Sequence, residues 1–170
     1  MTDAIRRKGA EELRTWESSQ PEERRRQLES LGEHLGRAME APVPPIHEKP
    51  FENERLLGQY DDENFRIEMN GKLFDDADPR PALEAYLHEY RHAAQAYEIT
   101  KSHSSLAREA DGRSPEWERN SREYVEPEQS EEAYFRQPLE EDARAFAGHL
   151  SHEILRERDH LVRNKSDQDT

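Results

Sequence analysis

The uninterrupted segment from Ala82 to Tyr97 constrains the fold of this chain most strongly. It follows Asp78 and Pro79, an Asp that suits a helix N-cap and a Pro that is tolerated in a first turn. Apolar residues lie on more than one side of the predicted helix: Leu83, Ala85, Tyr86, Leu87, Ala93, Ala94 and Tyr97. Because a helix that is apolar on several sides is usually buried, the segment predicts a central helix rather than a surface one.

Further helices are predicted on either side from the spacing of apolar residues. Residues 3–18 indicate a weak amphipathic helix, and a second helix opens at a capping box formed by Ser19 and Glu22. The second helix carries an apolar stripe: Leu28, Leu31, Leu35 and Met39. A last helix begins near Gln137 and Pro138. Its apolar face consists of Leu139, Ala143, Phe146, Ala147, Leu150 and Ile154.

The clearest strand signal is the alternation of Phe65, Ile67 and Met69 with charged residues. Asn70–Gly71 follows and predicts the type I′ turn of a short β-hairpin, whose second strand is residues 72–74. Upstream, the prolines between residues 41 and 50 exclude a helix and predict an extended linker. The sequence therefore predicts an α+β fold that is mostly helical and contains a short hairpin.

The chain is long enough for one domain but poor in core material, because only 32% of its 170 residues are hydrophobic while 38% are charged. The sequence predicts a helical N-terminal segment and linker (1–45), a main domain (46–163) and a disordered tail (164–170). We expect the N-terminal segment to be a cap, a lid or an arm that binds a partner protein. The region 101–127 is polar and irregular, which is typical of a functional loop or a disordered one.

Charge and composition exclude several classes of function. A net charge of −14 disfavours nucleic acids and anionic membranes as partners, because both repel an acidic protein. No apolar run is long enough for a signal peptide or a membrane span, so we expect a cytoplasmic protein, or one exported by a route that needs no signal peptide. The sequence has no cysteine, so any metal must be held by histidine and carboxylate side chains.

The predicted central helix contains LHEYRHAAQ, which has the HExxH pattern. His88 and His92 are one helical turn apart on the same face, as two imidazoles that bind one zinc ion must be. Glu89 lies beside the first of them and is placed to take a proton from a water that zinc holds. The alternative is that the two histidines are a solvent-facing pair and the motif has arisen by chance.

A catalytic zinc ion needs a third protein ligand and one open position. The downstream candidates are His103, Glu140, Glu141, Asp142, His149, His152 and His160. On a helical wheel Glu140 borders the apolar face of the last helix, whereas Glu141 points to the opposite side and Asp142 lies near the other border. We therefore expect Glu140 to be the third ligand, and Asp142 to support a ligand or to replace Glu140 as the alternative ligand.

The segment HEYRHAAQ, followed at a distance by YFRQPLEEDARAFA, resembles the metallopeptidase domains of bacterial polymorphic toxins and related stand-alone zincins. These domains share the pattern HExRHxxQ and then QPxExDAxxFA, and the match covers Leu83 to Leu150. The resemblance implies a minimal zincin-like domain in which His88, His92 and Glu140 bind zinc and Glu89 is the base. It also implies that Asp142 orients a ligand histidine. Three further residues match motif positions without an assigned role: Arg91, Gln95 and Tyr134.

The sequence thus predicts a zinc metallopeptidase that acts on a peptide or protein substrate. Tyr124 and Tyr134 are candidate donors to the negatively charged oxygen of the transition state, or else packing residues. One alternative is a catalytically inactive zincin-like binding or regulatory protein, which would bind zinc without turnover. The other is a helical interaction protein without a metal.

Overall fold

The computed structural model describes residues 2–53, 55–102 and 114–166. The helices in these ranges are α1 (Thr2–Glu12), α2 (Pro21–Met39), α3 (Lys72–Asp75), α4 (Arg80–Ser102), α5 (Ser114–Arg122), α6 (Glu131–Phe135) and α7 (Pro138–Ser166), and Leu13–Ser18 is a 3₁₀ helix. The strands are β1 (Ile46–Glu48), β2 (Gly58–Asp61) and β3 (Arg66–Met69). The predicted α+β, mostly helical fold class is confirmed.

Helix α4 is the central helix that the sequence predicts. The backbone N–H of Arg80 donates to Asp78 Oδ1 at 2.9 Å, so Asp78 caps the helix as expected. Leu83, Tyr86 and Leu87 are fully buried. The helix packs against α7 and also against β2 and β3, which explains why its apolar residues do not form a single stripe.

The sheet has the strand order β1-β3-β2, with β1 parallel and β2 antiparallel to β3. The predicted strand is confirmed as β3, but the predicted hairpin turn at Asn70–Gly71 is wrong. A type I′ turn needs positive φ, whereas Gly71 has φ −56° and the Leu73 N–H donates to Asn70 O at 3.0 Å to begin α3. The hairpin partner of β3 is instead β2, which precedes it and lies at an edge of the sheet.

The N-terminal helices share the core of the main domain. Trp16 and Leu28 are fully buried in the same hydrophobic cluster as Tyr86 of α4. The residues on either side of the predicted boundary at residue 45, 1–45 and 46–163, therefore contribute to one shared hydrophobic core. The buried side chain of Arg24 links them further, since it donates to the carbonyl oxygens of Trp16 and Phe74 at 2.9 Å each.

The start of α2 differs from the prediction. Its N-cap residue is Gln20, whose side chain makes no capping hydrogen bond, and Pro21 occupies the first turn. The hydroxyl of Ser19 donates to the carbonyl oxygen of Thr15 at 2.9 Å instead, so the predicted capping box is wrong.

The region predicted as irregular contains α5, whose Trp117 is only 2% exposed. At the other end of the chain, α7 extends to Ser166, past the predicted helix end at residue 163. The rest of the predicted tail, 167–170, and the candidate ligand His103 lie outside the described residues. Within the described ranges, no helix is both long and apolar enough to cross a membrane.

Candidate metal centre

His88 and His92 project from the same face of α4, because they are one helical turn apart. Their Nε2 atoms are separated by 3.1 Å. The two rings meet edge to face, with an interplanar angle of 83° and 4.7 Å between centroids. Two imidazole nitrogens are thus presented to one point in space.

Glu140 reaches the two histidines from the first turn of α7. Its Oε2 lies 3.3 Å from His88 Nε2, and its Oε1 lies 3.1 Å from His92 Nε2. The Glu140 side chain is 1% exposed. The structure therefore brings together the two predicted histidine ligands and the carboxylate that the sequence places first among the candidates.

These three side chains fit a zinc ion. Tetrahedral coordination with bonds of about 2.0–2.2 Å places ligand atoms roughly 3.3–3.5 Å apart, slightly more than the separations in this cluster. Glu140 Oε2 is buried, and its contacts with His88 Nε2 at 3.3 Å and Arg144 Nη1 at 3.5 Å are longer than ordinary charge-assisted hydrogen bonds, so a cation would compensate it better. Two imidazoles and one carboxylate are a donor set that zinc accepts while keeping one position for water.

Without a metal ion, the surroundings of His92 favour its protonated, positively charged form. Burial lowers the pKa of His92, but its hydrogen bond to Glu140 and the negative charges nearby raise the net pKa above the usual 6.5. Burial likewise opposes ionisation of Glu140, but hydrogen bonds from His88, His92 and Tyr124 hold its pKa well below the usual 4.5. A metal ion would supply the positive charge in place of the proton on His92.

Glu89 lies beside the centre without belonging to the three donor groups. It is 8% exposed, and burial raises the pKa of its carboxyl group despite the nearby charges of the two histidines. The backbone N–H of Tyr60 in β2 faces this carboxylate and partly offsets the effect of burial on its pKa. Gly58 of the same strand lies so close that a Cβ atom there would be 3.0 Å from Glu89 Cγ. The carboxylate is therefore held between the motif helix and the edge strand.

Both candidate tyrosines lie at the centre. Tyr124 donates its hydroxyl to Glu140 Oε1 at 2.5 Å, and the ring of Tyr134 meets the Tyr124 ring edge-on with 6.2 Å between centroids. Gln137 fixes the segment that carries Tyr124, because its side-chain amide bonds to both the N–H and the carbonyl oxygen of Val125 at 2.8 Å.

Asp142, the alternative third ligand, contacts a different set of side chains. Its Oδ2 accepts hydrogen bonds from Arg91 Nε at 2.6 Å and from Gln95 Nε2 at 2.8 Å. Gln95 in turn places its Oε1 2.9 Å from His92 Nδ1. Asp142 thus reaches His92, a candidate ligand, through Gln95. The sequence analysis assigned no role to Gln95 or Arg91. The spacing of three residues nevertheless places His92 and Gln95 on one face of the helix, which was a signal for their contact.

The remaining candidate ligands on α7 point elsewhere. Four of them are exposed: Glu141, His149, His152 and His160. In the part of the chain that the structure describes, His88, His92 and Glu140 form the one group of histidine and acidic side chains close enough to hold a metal ion.

A groove of about 720 Å³ opens beside His88 and Glu89. Its walls come from the segment before β2, from α4, α6 and α7, and from the loop before α6. Leu57 and Phe135 line it and are unusually exposed for apolar side chains, at 43% and 47%. The groove therefore offers apolar surface next to the metal centre.

Arg144 also lines the groove and was not predicted from the sequence. Its Nη1 lies 3.5 Å from Glu140 Oε2, and its Nη2 donates to the carbonyl oxygen of Phe135. Glu140 and Arg144 are four residues apart and therefore lie on the same face of α7. This spacing could have predicted from the sequence that Arg144 lies beside Glu140.

No protein-family model, no curated protein and no solved structure shows a significant match to this chain. The description of this protein therefore rests on its own fold and on the geometry of its site. It is a mostly helical α+β protein with a buried His-His-Glu cluster of a kind that can hold a metal ion.

Proposed function

We propose that this protein is a zinc-dependent metallopeptidase that hydrolyses peptide bonds. The observation that supports this most is the approach of His88 Nε2, His92 Nε2 and the Glu140 carboxylate to within 3.1–3.3 Å of one another. Glu89 adjoins the cluster and remains available as a base. The resemblance of the two sequence motifs to zincin domains of bacterial polymorphic toxins agrees with this proposal.

The protein side chains have distinct tasks in this reaction. Zinc, when bound, supplies Lewis acidity and lowers the pKa of water at its open position from 15.7 to about 7. Glu89 would take a proton from the attacking water as the water oxygen adds to the peptide carbonyl carbon, and would deliver that proton to the leaving nitrogen as the C–N bond breaks. The raised pKa of the buried Glu89 suits a group that must accept and then return a proton.

The substrate that we propose is a peptide segment in an extended conformation. β2 is an edge strand of the described sheet and approaches Glu89 at Gly58 and Tyr60. An edge strand can bind an extended peptide through main-chain hydrogen bonds, while adjacent pockets select side chains. The exposed Leu57 and Phe135 favour an apolar side chain near the scissile bond.

Tyr134 is the donor that we propose for the negatively charged oxygen of the transition state. It lines the groove, where a peptide carbonyl group would lie. Tyr124 is engaged with Glu140 and is assigned to holding that carboxylate.

The substitution Glu89→Gln tests this proposal. It should retain zinc and lower hydrolysis roughly 10²–10⁴-fold, because the carboxylate acts as a base and not as a ligand. Cleavage of a fluorescence-quenched peptide library measures hydrolysis, and mass spectrometry of the same sample measures the zinc content.

Two outcomes would count against the proposal. Loss of zinc from the Glu89→Gln protein would make Glu89 a ligand. Zinc binding by the wild type without cleavage of any peptide would favour the alternative, an inactive zincin-like binding or regulatory protein.

A further inference from the structure

The side chain of Gln95 bridges the two helices that carry the metal-ligand candidates. It projects from α4, is 1% exposed, and reaches the first turn of α7. Its Nε2 donates to the carbonyl oxygen of Leu139 at 3.0 Å and to Asp142 Oδ2 at 2.8 Å. Its Oε1 lies 2.9 Å from His92 Nδ1. Every polar atom of this buried amide therefore has a partner.

These contacts fix which way the amide faces. A glutamine Nε2 has two N–H groups, and both are used by acceptors that cannot donate, a backbone carbonyl oxygen and a carboxylate. Reversing the amide would bring its oxygen against those two oxygens and lose both hydrogen bonds. The oxygen of Gln95 is therefore the atom that faces His92, and it can only accept.

A hydrogen-bond acceptor at that position determines which ring nitrogen of His92 must carry a proton. His92 Nδ1 must carry a proton to bond to Gln95 Oε1, which leaves Nε2 as the nitrogen directed to His88 and Glu140. We propose that Gln95 is a positioning residue that holds His92 Nδ1 as a hydrogen-bond donor and thereby presents Nε2 for metal binding. The statement about metal binding rests on the proposed function, whereas the statement about the proton does not.

The same amide also sets the position of the third ligand candidate. Leu139 and Asp142, its two acceptors, flank Glu140 along the first turn of α7. Gln95 therefore ties the turn that carries Glu140 to the turn of α4 that carries His92. A single side chain thus orients one ligand and locates another.

Arg91 completes the arrangement by neutralising Asp142. Its Nε donates to Asp142 Oδ2 at 2.6 Å, and its guanidinium lies 5.0 Å from the ring centre of Trp117 and 5.5 Å from that of Phe146. The aromatic rings and the salt bridge hold the arginine in place. The carboxylate that orients Gln95 is therefore itself held in place by a charged partner.

Nitrogen-15 NMR of the histidine side chains tests the proposal on the wild-type protein. Long-range proton–nitrogen correlations distinguish a ring with a proton on Nδ1 from a neutral ring with a proton on Nε2 alone. We expect a proton on Nδ1 of His92 in the metal-free and the zinc-loaded protein. A neutral ring protonated only at Nε2 in the metal-free protein would overturn the proposal, and this readout needs neither zinc nor activity.

The variant Gln95→Leu tests the consequence for the metal. Removing a group that orients a ligand should weaken zinc binding roughly 10–100-fold, measured by competition with a chromophoric chelator. Gln27→Leu is the matched control, because Gln27 is also a buried glutamine, 8% exposed, but bonds to Thr15 and Ser19 in the N-terminal segment. It should leave zinc affinity unchanged.

Three further results would overturn the proposal. They are unchanged zinc affinity in Gln95→Leu, an equal loss in Gln27→Leu, and a wild-type Nδ1 signal that persists unaltered in Gln95→Leu. If the wild type binds no zinc, the proposed function fails, and the state of His92 in the metal-free protein still decides the role of Gln95.

Discussion

Glu68 in the sheet and Glu140 at the candidate metal centre are both buried glutamates, but their charges are compensated differently. Glu68, 3% exposed, accepts hydrogen bonds from Lys49 Nζ and Arg66 Nη2 at 2.6 Å each. Lysine and arginine side chains ordinarily remain charged between pH 5 and 9, so the charge of Glu68 is compensated at every pH in that range. This carboxylate needs no further ligand.

Glu140 has partners of another kind. It contacts the imidazoles of His88 and His92 and the hydroxyl of Tyr124, none of which carries a permanent charge. The guanidinium of Arg144 remains 3.5 Å from Oε2. Burial alone therefore does not mark a carboxylate as a metal-ligand candidate. A buried carboxylate whose shortest nitrogen contacts are imidazoles, and whose arginine is more distant, is suited to a metal ion, whereas one bonded to lysine and arginine at 2.6 Å is structural.

The largest predicted effect separates the two glutamates by zinc binding. Glu140→Gln should weaken zinc affinity by more than about 100-fold, since loss of a group that merely supports a ligand already costs 10–100-fold. Glu68→Gln should leave zinc affinity unchanged and lower the free energy of unfolding by about 1–3 kcal/mol, because two charged donors lose a buried partner. Chelator competition and urea unfolding measure these quantities. Equal loss of zinc affinity in both variants would contradict the assignment of Glu140 as a ligand and Glu68 as a structural residue.

A smaller effect of pH is predicted for the metal-free protein. The raised pKa of His92 stabilises the fold below about pH 6.5, and this contribution is lost as pH rises through the raised value. The lowered pKa of Glu140 stabilises the fold above 4.5, and this contribution is lost as pH falls through the lowered value. The pair therefore contributes most between these limits. Glu140→Gln should therefore cost more stability at pH 5.5 than at pH 9.

Glu68→Gln is again the control for this pH dependence. Its cost should be the same at both pH values, because the charges of lysine and arginine do not change over that interval. Urea unfolding in the presence of a chelator gives the loss of unfolding free energy for each of the two variants, relative to the wild type, at pH 5.5 and at pH 9. The same pH dependence in the two variants would show that His92 and Glu140 are not coupled.

The smallest predicted effect concerns α7 at a distance from Glu140. Gly148 is an exposed mid-helix residue, and a Cβ atom there would meet no other atom within 4 Å. Gly148→Ala should raise the free energy of unfolding by about 0.5–1 kcal/mol, because glycine disfavours a helix interior by that amount. Zinc affinity should not change. A drop in affinity would mean that the centre responds to α7 as a whole rather than to the groups around Glu140.

The sequence was most informative about candidate site residues that lie together on a single helix. The placement of His88, Glu89 and His92 on one turn of α4 follows from helical periodicity, and the apolar face of α7 pointed to Glu140. The contacts of Gln95 depend on how α4 packs against α7, and periodicity within either helix does not define that packing.

The sheet shows the same limit. β3 alternates and was predicted, whereas β1 and β2, of three and four residues, are stabilised mainly by pairing with β3 and have little strand signal of their own. Asn70–Gly71 was misinterpreted because the same dipeptide suits a hairpin turn and the start of a short helix. Local pattern therefore predicted the helices that carry the candidate ligands better than the edge strand that adjoins them.

The most direct test of the zinc centre is anomalous diffraction at the zinc absorption edge, on crystals grown with one equivalent of zinc. One peak per chain is predicted, at about 2.0–2.2 Å from His88 Nε2, His92 Nε2 and a carboxylate oxygen of Glu140. A peak held by other side chains, or no peak while these three remain together, would contradict the assignment of this cluster as a zinc site.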